Sequence, residues 1–182
     1  MKNIIVYPDW VLEIVSPGDV HASRVDLMRV CIRIASANVD RTSGGPFGAI
    51  VVTDKGEVVS IGYNAVVPSN DSTAHAEIVA LRRAERLFGS FKLRGNGLPR
   101  LSLFTSCAPC IMCVGAIHWA GVPEVNAGAR REDAEAIGFI EGPADMDVPR
   151  FMKERGISYE GDLLRDEVLE VFKHYKGVIY NG

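Results

Sequence analysis

At 182 residues and 19.8 kDa the chain is long enough for one domain, spanning residues 1–182, with a core that needs no disulfide or metal staple. Its composition, 47% hydrophobic and 24% charged with 18 Gly and 9 Pro, excludes disordered, collagen-like and coiled-coil proteins. With 20 basic against 23 acidic residues, a net charge of −3 and no basic cluster longer than Arg82-Arg83 or Arg130-Arg131, there is no footprint for a polyanion.

The first stretch, Met1 to Val15, is broken by Pro8-Asp9 and lacks the apolar run of an export signal. Residues 1–20 are therefore expected to be an N-terminal extension of a cytoplasmic protein. From Val20 to Val39 apolar residues recur at helical spacing (Val25, Met28, Ile32, Ala35), which predicts an amphipathic helix. Gly44-Gly45-Pro46-Phe47-Gly48 ends it. Two β-rich runs, Ala49 to Thr53 and Glu57 to Tyr63, flank Asp54-Lys55-Gly56 and predict a hairpin. Asn70 to Thr73 offers helix-capping side chains, so a second helix starts close to His75 and buries Ile78, Leu81, Ala84 and Phe88.

Leu101 to Thr105 reads as a strand running into Cys110 to Ala120, a helix apolar nearly all round and hence expected at the centre of the fold. That segment falls short of the ~20 residues that span a bilayer. Val122 to Ala127 predicts a strand, Arg131 to Ile137 a short helix and Gly138 to Arg150 a loop. Ile157 to Glu160 predicts a last strand, Leu164 to Tyr175 a last helix, and residues 177–182 a C-terminal tail. Strands alternating with helices define an α/β layered domain.

Three of the four cysteines (Cys107, Cys110, Cys113; the fourth is Cys31) fall within seven positions, which suits a reduced thiol or metal site better than a disulfide framework. Cys110 and Cys113, at i and i+3 on one helical face, can grip a single tetrahedral ion, and the positive helix N-terminus favours their thiolates. His75, at the mouth of the other helix, supplies a third ligand. Two thiolates, one imidazole and an open position suit a catalytic zinc, whereas a structural site normally takes four protein ligands. A redox pair or half of a structural zinc site remains the alternative for the cysteines alone. Glu77 is about 200° around the helix from His75, so it is not a neighbouring ligand. Leaning toward the helix mouth, it can serve as a general base toward an activated water.

At these residues, His75-Ala76-Glu77 and Pro109-Cys110-Ile111-Met112-Cys113, the chain resembles the cytidine and deoxycytidylate deaminase superfamily, with its H-x-E and P-C-x-x-C signature. Gly45 to Ala49 and Asn64 follow the family's order as well. More narrowly, Gly115 to Ala120 and Glu135 to Glu141 resemble bacterial guanine deaminases, which carry a carboxylate in a Gly-Phe-acidic loop; Glu141 holds that place. Two departures stand out: Ala108 where the family has Glu, and Ile140 where the loop has its first acidic residue.

The resemblance implies a three-layer α/β/α cytidine-deaminase-like fold with a central mixed sheet and one Zn2+ per chain held by His75, Cys110 and Cys113. It further implies a homodimer with exchanged C-terminal segments, and conversion of guanine to xanthine and ammonia. Glu77 and Glu141 would be catalytic, and Asn64, Ala76 (through its N–H), Phe47, Trp119 and Tyr180 would contact the base. Guanosine, an aminotriazine, cytosine or cytidine are alternative substrates. Adenosine in tRNA is disfavoured by the acidic balance, and a zinc-stabilised binding module is the non-enzyme alternative.

Overall fold

The computed structural model describes residues 5–95 and 97–181. A short helix, α1 (Asp9–Leu12), precedes α2 (Arg24–Asp40), whose first turn is capped by Ser23: its Oγ accepts from the Asp26 N–H at 3.1 Å. α2 therefore begins four residues after the expected Val20, which instead bridges Glu57. The hairpin follows as β1 (Gly48–Thr53) and β2 (Val58–Tyr63), antiparallel with Ala49 opposite Gly62. Next come α3 (Val66–Ser69), which no sequence signal announced, and α4 (Ala76–Phe88). β3 (Leu101–Cys107) leads into α5 (Ile111–Ala120), and β4 (Glu124–Ala129) into α6 (Arg131–Ala136). The chain closes with α7 (Val148–Glu154), β5 (Ser158–Glu160) and α8 (Arg165–His174).

The sheet order is β2-β1-β3-β4-β5, with β1 antiparallel to both neighbours and β3, β4 and β5 parallel. Strands β1 and β3 are buried almost throughout, as strands covered on both faces must be. One face carries α2 and α8, packed through Met28, Ile34, Ile50, Phe104 and Phe172. The opposite face carries α4, α5 and α7, packed through Ala80, Leu81, Leu103, Ile117 and Met152. This is the expected three-layer arrangement.

Three expectations change. The span from Gly138 to Arg150 is loop only as far as Asp147, whose side chain accepts from Arg150 N at 2.9 Å and starts α7. α5 is not central: Ile111 and Trp119 are 53% and 78% exposed, so its apolar residues cover two faces of which only one meets the sheet layer. The N-terminal segment is integral rather than appended. Val11 and Val15 are core residues, and residues 18–21 run along the outer edge of β2, exchanging backbone hydrogen bonds with Gly56 and Val58. Arg83 then locks the segment down, its guanidinium 4.4 Å from the Tyr7 ring and 5.2 Å from the Tyr63 ring while it donates to Ile61 O at 2.6 Å. No helix among the described residues is long and apolar enough to cross a membrane.

Candidate active site

Two helix mouths meet at the end of β3. His75 is the N-cap of α4 and Cys110 the N-cap of α5, both in extended conformation. The turn before His75 is built by Asp71, whose Oδ1 accepts from the Thr73 N–H at 2.9 Å and the Thr73 hydroxyl at 2.6 Å. The capping chemistry read at Asn70 to Thr73 thus shapes the approach to the helix, and His75 itself caps no N–H.

His75 Nδ1 lies 3.5 Å from Cys110 Sγ and 3.7 Å from Cys113 Sγ. A tetrahedral zinc with ordinary Zn–S and Zn–N lengths separates nitrogen from sulfur by roughly 3.6 Å. The ligand atoms therefore already stand at the edges of such a tetrahedron, and His75, Cys110 and Cys113 form the zinc-binding site. The Cys110 thiol is held down to about 4, because it accepts hydrogen bonds from Cys113 and His75 that outweigh its burial. A thiolate poised this way is ready to ligate.

Glu77, second residue of α4, is 6% exposed and lines the same cavity as His75. Burial, and then the neighbouring Cys110 thiolate, push its carboxyl up to about 6, with His75 opposing. Glu141, on the loop after α6, is 7% exposed and is pushed up to about 8 by burial and the same negative neighbours. The loop is pinned where it matters, since Glu141 O accepts from the Ile111 N–H at 2.9 Å.

Phe47, Asn64, Ala76 and Glu141 line one small cavity with His75 and Glu77, in the company of Cys107 and Ala108. The free volume within it is about 10 Å3, at most a single water. Asn64 is fully buried and its Nδ2 has no partner among the described residues. Phe47 forms the wall, with its ring edge-on to Phe139 at 5.1 Å and Phe172 at 5.7 Å. Tyr180 is brought in by the tail of its own chain: its ring is 6.0 Å from the His75 ring, and its buried hydroxyl has no partner among the described residues. Asn181 fastens that tail to the Glu141 loop, accepting from Ile140 N at 2.9 Å and donating to Gly138 O at 2.8 Å.

Trp119, expected as a substrate contact, does not reach this cavity within its own chain. It sits nine residues beyond Cys110, roughly 13 Å along a helix, and projects to the surface beside His118 and Phe91 rather than into the cavity. The departures have separate consequences. Ala108 lines both the catalytic cavity and a surface cavity of about 580 Å3. Ile140 is 70% exposed, so the missing acidic group would have faced solvent. Cys107 and the buried amide of Asn38 were not selected from sequence, although a polar residue on the apolar stripe of α2 was a usable signal.

The fold and the metal site together define the class. Residues 22–129 match the profile described as cytidine and deoxycytidylate deaminase zinc-binding region, and the chain belongs to that family. Guanine deaminase of Bacillus subtilis (strain 168) is 37% identical over 132 residues, covering 72% of this chain and 81% of that protein. The solved guanine deaminase from Nitrosomonas europaea superposes with a TM-score of 0.87 at 36% identity, covering 94% of each chain. The structure of NE0047 in complex with 2,6-diaminopurine gives a TM-score of 0.89 at 38% identity, over 98% of this chain and 96% of that one.

Proposed function

We propose that this protein deaminates guanine by hydrolysis, giving xanthine and ammonia, with one zinc ion per chain. The observation that carries the reading is a small cavity lined by the zinc ligand His75, two buried carboxylates and an unpartnered amide N–H2. Bound zinc supplies a Lewis acid that makes water nucleophilic at neutral pH. Glu77 takes one proton from the attacking water and passes it to the ring nitrogen, then takes the remaining hydroxyl proton and passes it to the amine, which departs as ammonia. A carboxyl drawn up toward neutrality by burial is suited to moving a proton both ways.

Asn64 Nδ2 donates to the acceptor edge of the base, and Glu141 accepts from its ring N–H. The Ala76 N–H, free at the first turn of α4, is available to the ring carbonyl oxygen. Phe47 lines the wall, and Tyr180 with the tail shuts water out during the reaction. The likeness to guanine deaminases and to a protein bound to a diaminopurine supports a free purine as substrate. The net charge of −3 disfavours RNA. We further propose that the whole chain acts as one domain and forms a homodimer.

The test is ammonia release from guanine, guanosine, an aminotriazine, cytosine, cytidine and tRNA, with wild type and Glu77→Gln compared. Guanine is expected to be the preferred substrate. Glu77→Gln should keep its zinc and its fold while losing at least about a hundredfold in kcat, the usual worth of a general base. Preference for another substrate overturns the assignment to guanine; near-wild-type activity of Glu77→Gln overturns the proton shuttle.

A further inference from the structure

Asn38 lies on the buried stripe of α2 with Cys31, Ile34 and Ala35 and is fully inaccessible to solvent. A buried amide is costly unless its polar atoms are satisfied. Here all are. Nδ2 donates to Gly45 O at 2.8 Å and to Asn64 O at 2.9 Å, while Oδ1 accepts from the Ser43 hydroxyl at 2.8 Å. The approach is so close that a Cβ on Gly44 would stand 2.0 Å from Asn64 O and 2.8 Å from Asn38 Nδ2.

The two carbonyls that Asn38 holds belong to the two segments that orient the Asn64 side chain. The Gly45 N–H donates to Asn64 Oδ1 at 3.1 Å, and the Val66 N–H donates to the same oxygen at 3.4 Å. With its oxygen fixed by two backbone donors, the Asn64 amide has one orientation, and its Nδ2 is left buried and unpartnered in the catalytic cavity. Without the strut, the segments carrying Gly45 N–H and Asn64 are free to separate. The amide can then turn and present an acceptor where the base needs a donor.

We infer that Asn38 is a positioning residue: by bridging the carbonyls of Gly45 and Asn64 it sets the aim of the Asn64 amide and so the base edge that the site accepts. This rests on the reading of the cavity as a nucleobase site and deepens it.

The experiment is a double-mutant cycle on the zinc-loaded enzyme with Asn38→Ala, Asn64→Ala and the pair, following guanine turnover, the Kd of 2,6-diaminopurine by calorimetry, zinc content and Tm. Asn38→Ala is expected to raise KM about tenfold, the effect of one misdirected hydrogen bond, and to weaken the analogue equally. kcat should stay within about threefold and zinc at wild-type level. In the Asn64→Ala background the same substitution should add nothing to KM or Kd. Ser43→Ala, which removes the hydroxyl's bond to Asn38 Oδ1 and its longer one, 3.3 Å, to the Asn38 carbonyl while leaving the Asn38 side chain in place, should act in the same direction by about twofold to fivefold, and it decides the matter if Asn38→Ala does not fold. An equal loss in both backgrounds shows a merely structural role and overturns the inference; so does an unchanged KM. If wild type deaminates a different base instead, the guanine assignment fails separately and the cycle is run on that base. If it deaminates none, the calorimetric cycle alone decides.

Discussion

Phe139 holds the C-terminal tail to the body of the protein, and replacing it tests the closure of the site directly. Its ring is 3% exposed and packs against Phe47 at 5.1 Å, Tyr180 at 5.1 Å and Tyr175 at 5.9 Å. Truncating a buried Phe to Ala costs about 3–5 kcal/mol through lost burial and the cavity left behind. Two of the three aromatic neighbours belong to the end of the chain, which can settle inward, so the lower end of that range applies. About 3 kcal/mol corresponds to a fall in Tm of about 6–12 °C for a chain of this size. Phe139→Leu, which keeps most of the volume, should cost less than about 1.5 kcal/mol. Because Tyr180 leans on the missing ring, Phe139→Ala should also loosen the tail and speed tryptic cleavage after Lys176, which is already exposed but held by the anchored tail. Differential scanning calorimetry with a timed tryptic digest measures both. A Tm within 3 °C of wild type with unchanged cleavage would refute the argument that this ring fastens the tail.

A Cβ at residue 45 would stand 2.5 Å from the Tyr180 hydroxyl and 3.1 Å from Asn64 Oδ1, so Gly45→Ala should lower kcat/KM for guanine at least about tenfold while disturbing Tm less than Phe139→Ala; unchanged kinetics would count against the packing of tail on loop. Cys113 is fully buried, and Cys113→Ala should lose zinc by metal analysis and melt at lower temperature; full occupancy in the variant would sink the ligand assignment. The Asp133 carboxyl lies below its ordinary range, chiefly through two hydrogen bonds from Arg165 at 2.6 and 2.7 Å. A depressed pKa stabilises the fold above the unfolded value of about 3.9 and is lost as pH falls through the folded one. The Tm gap between wild type and Asp133→Asn should hold from pH 7 to about pH 5 and shrink below pH 4; a gap that does not change with pH would exclude this linkage.

The metal site was legible because its ligands are encoded locally: an i, i+3 cysteine pair at one helix start and a His-x-Glu at another are readable without knowing which strands pair. The alternation of strands and helices was legible for the same reason. What periodicity does not carry is whether an apolar helix face finds a cover. α5 reads as apolar all round, yet Ile111 and Trp119 face outward. A cap hidden among loop-forming residues and a contact made across the chain are equally silent. Asp147 starts α7 inside a stretch dense in Gly, Pro and Asp that reads as loop, and the role of Tyr7 depends on Arg83 and Ile61, more than fifty residues away. Asn38 is the instructive omission. Its position at the helical spacing of Ile34 and Cys31 puts an amide where only a fully satisfied one is tolerated, and that oddity was available from sequence alone.

The N-terminal segment along the outer edge of β2 also has a consequence for biogenesis. An uncovered edge strand is a template for pairing with other chains, most dangerously while a polypeptide is still incomplete on the ribosome. Translation proceeds from the amino end, so Tyr7, Val11 and residues 18–21 emerge before the strand they will cover. By the time Val58 to Tyr63 leaves the exit tunnel, its shield has already been made and needs only to fold back. Arg83, which clasps Tyr7 against Tyr63, follows twenty residues later and closes the arrangement. The opposite edge, β5, is three residues long and offers a nascent neighbour little to pair with. The order of these pieces along the chain thus acts as a built-in chaperone for the sheet that carries the zinc site.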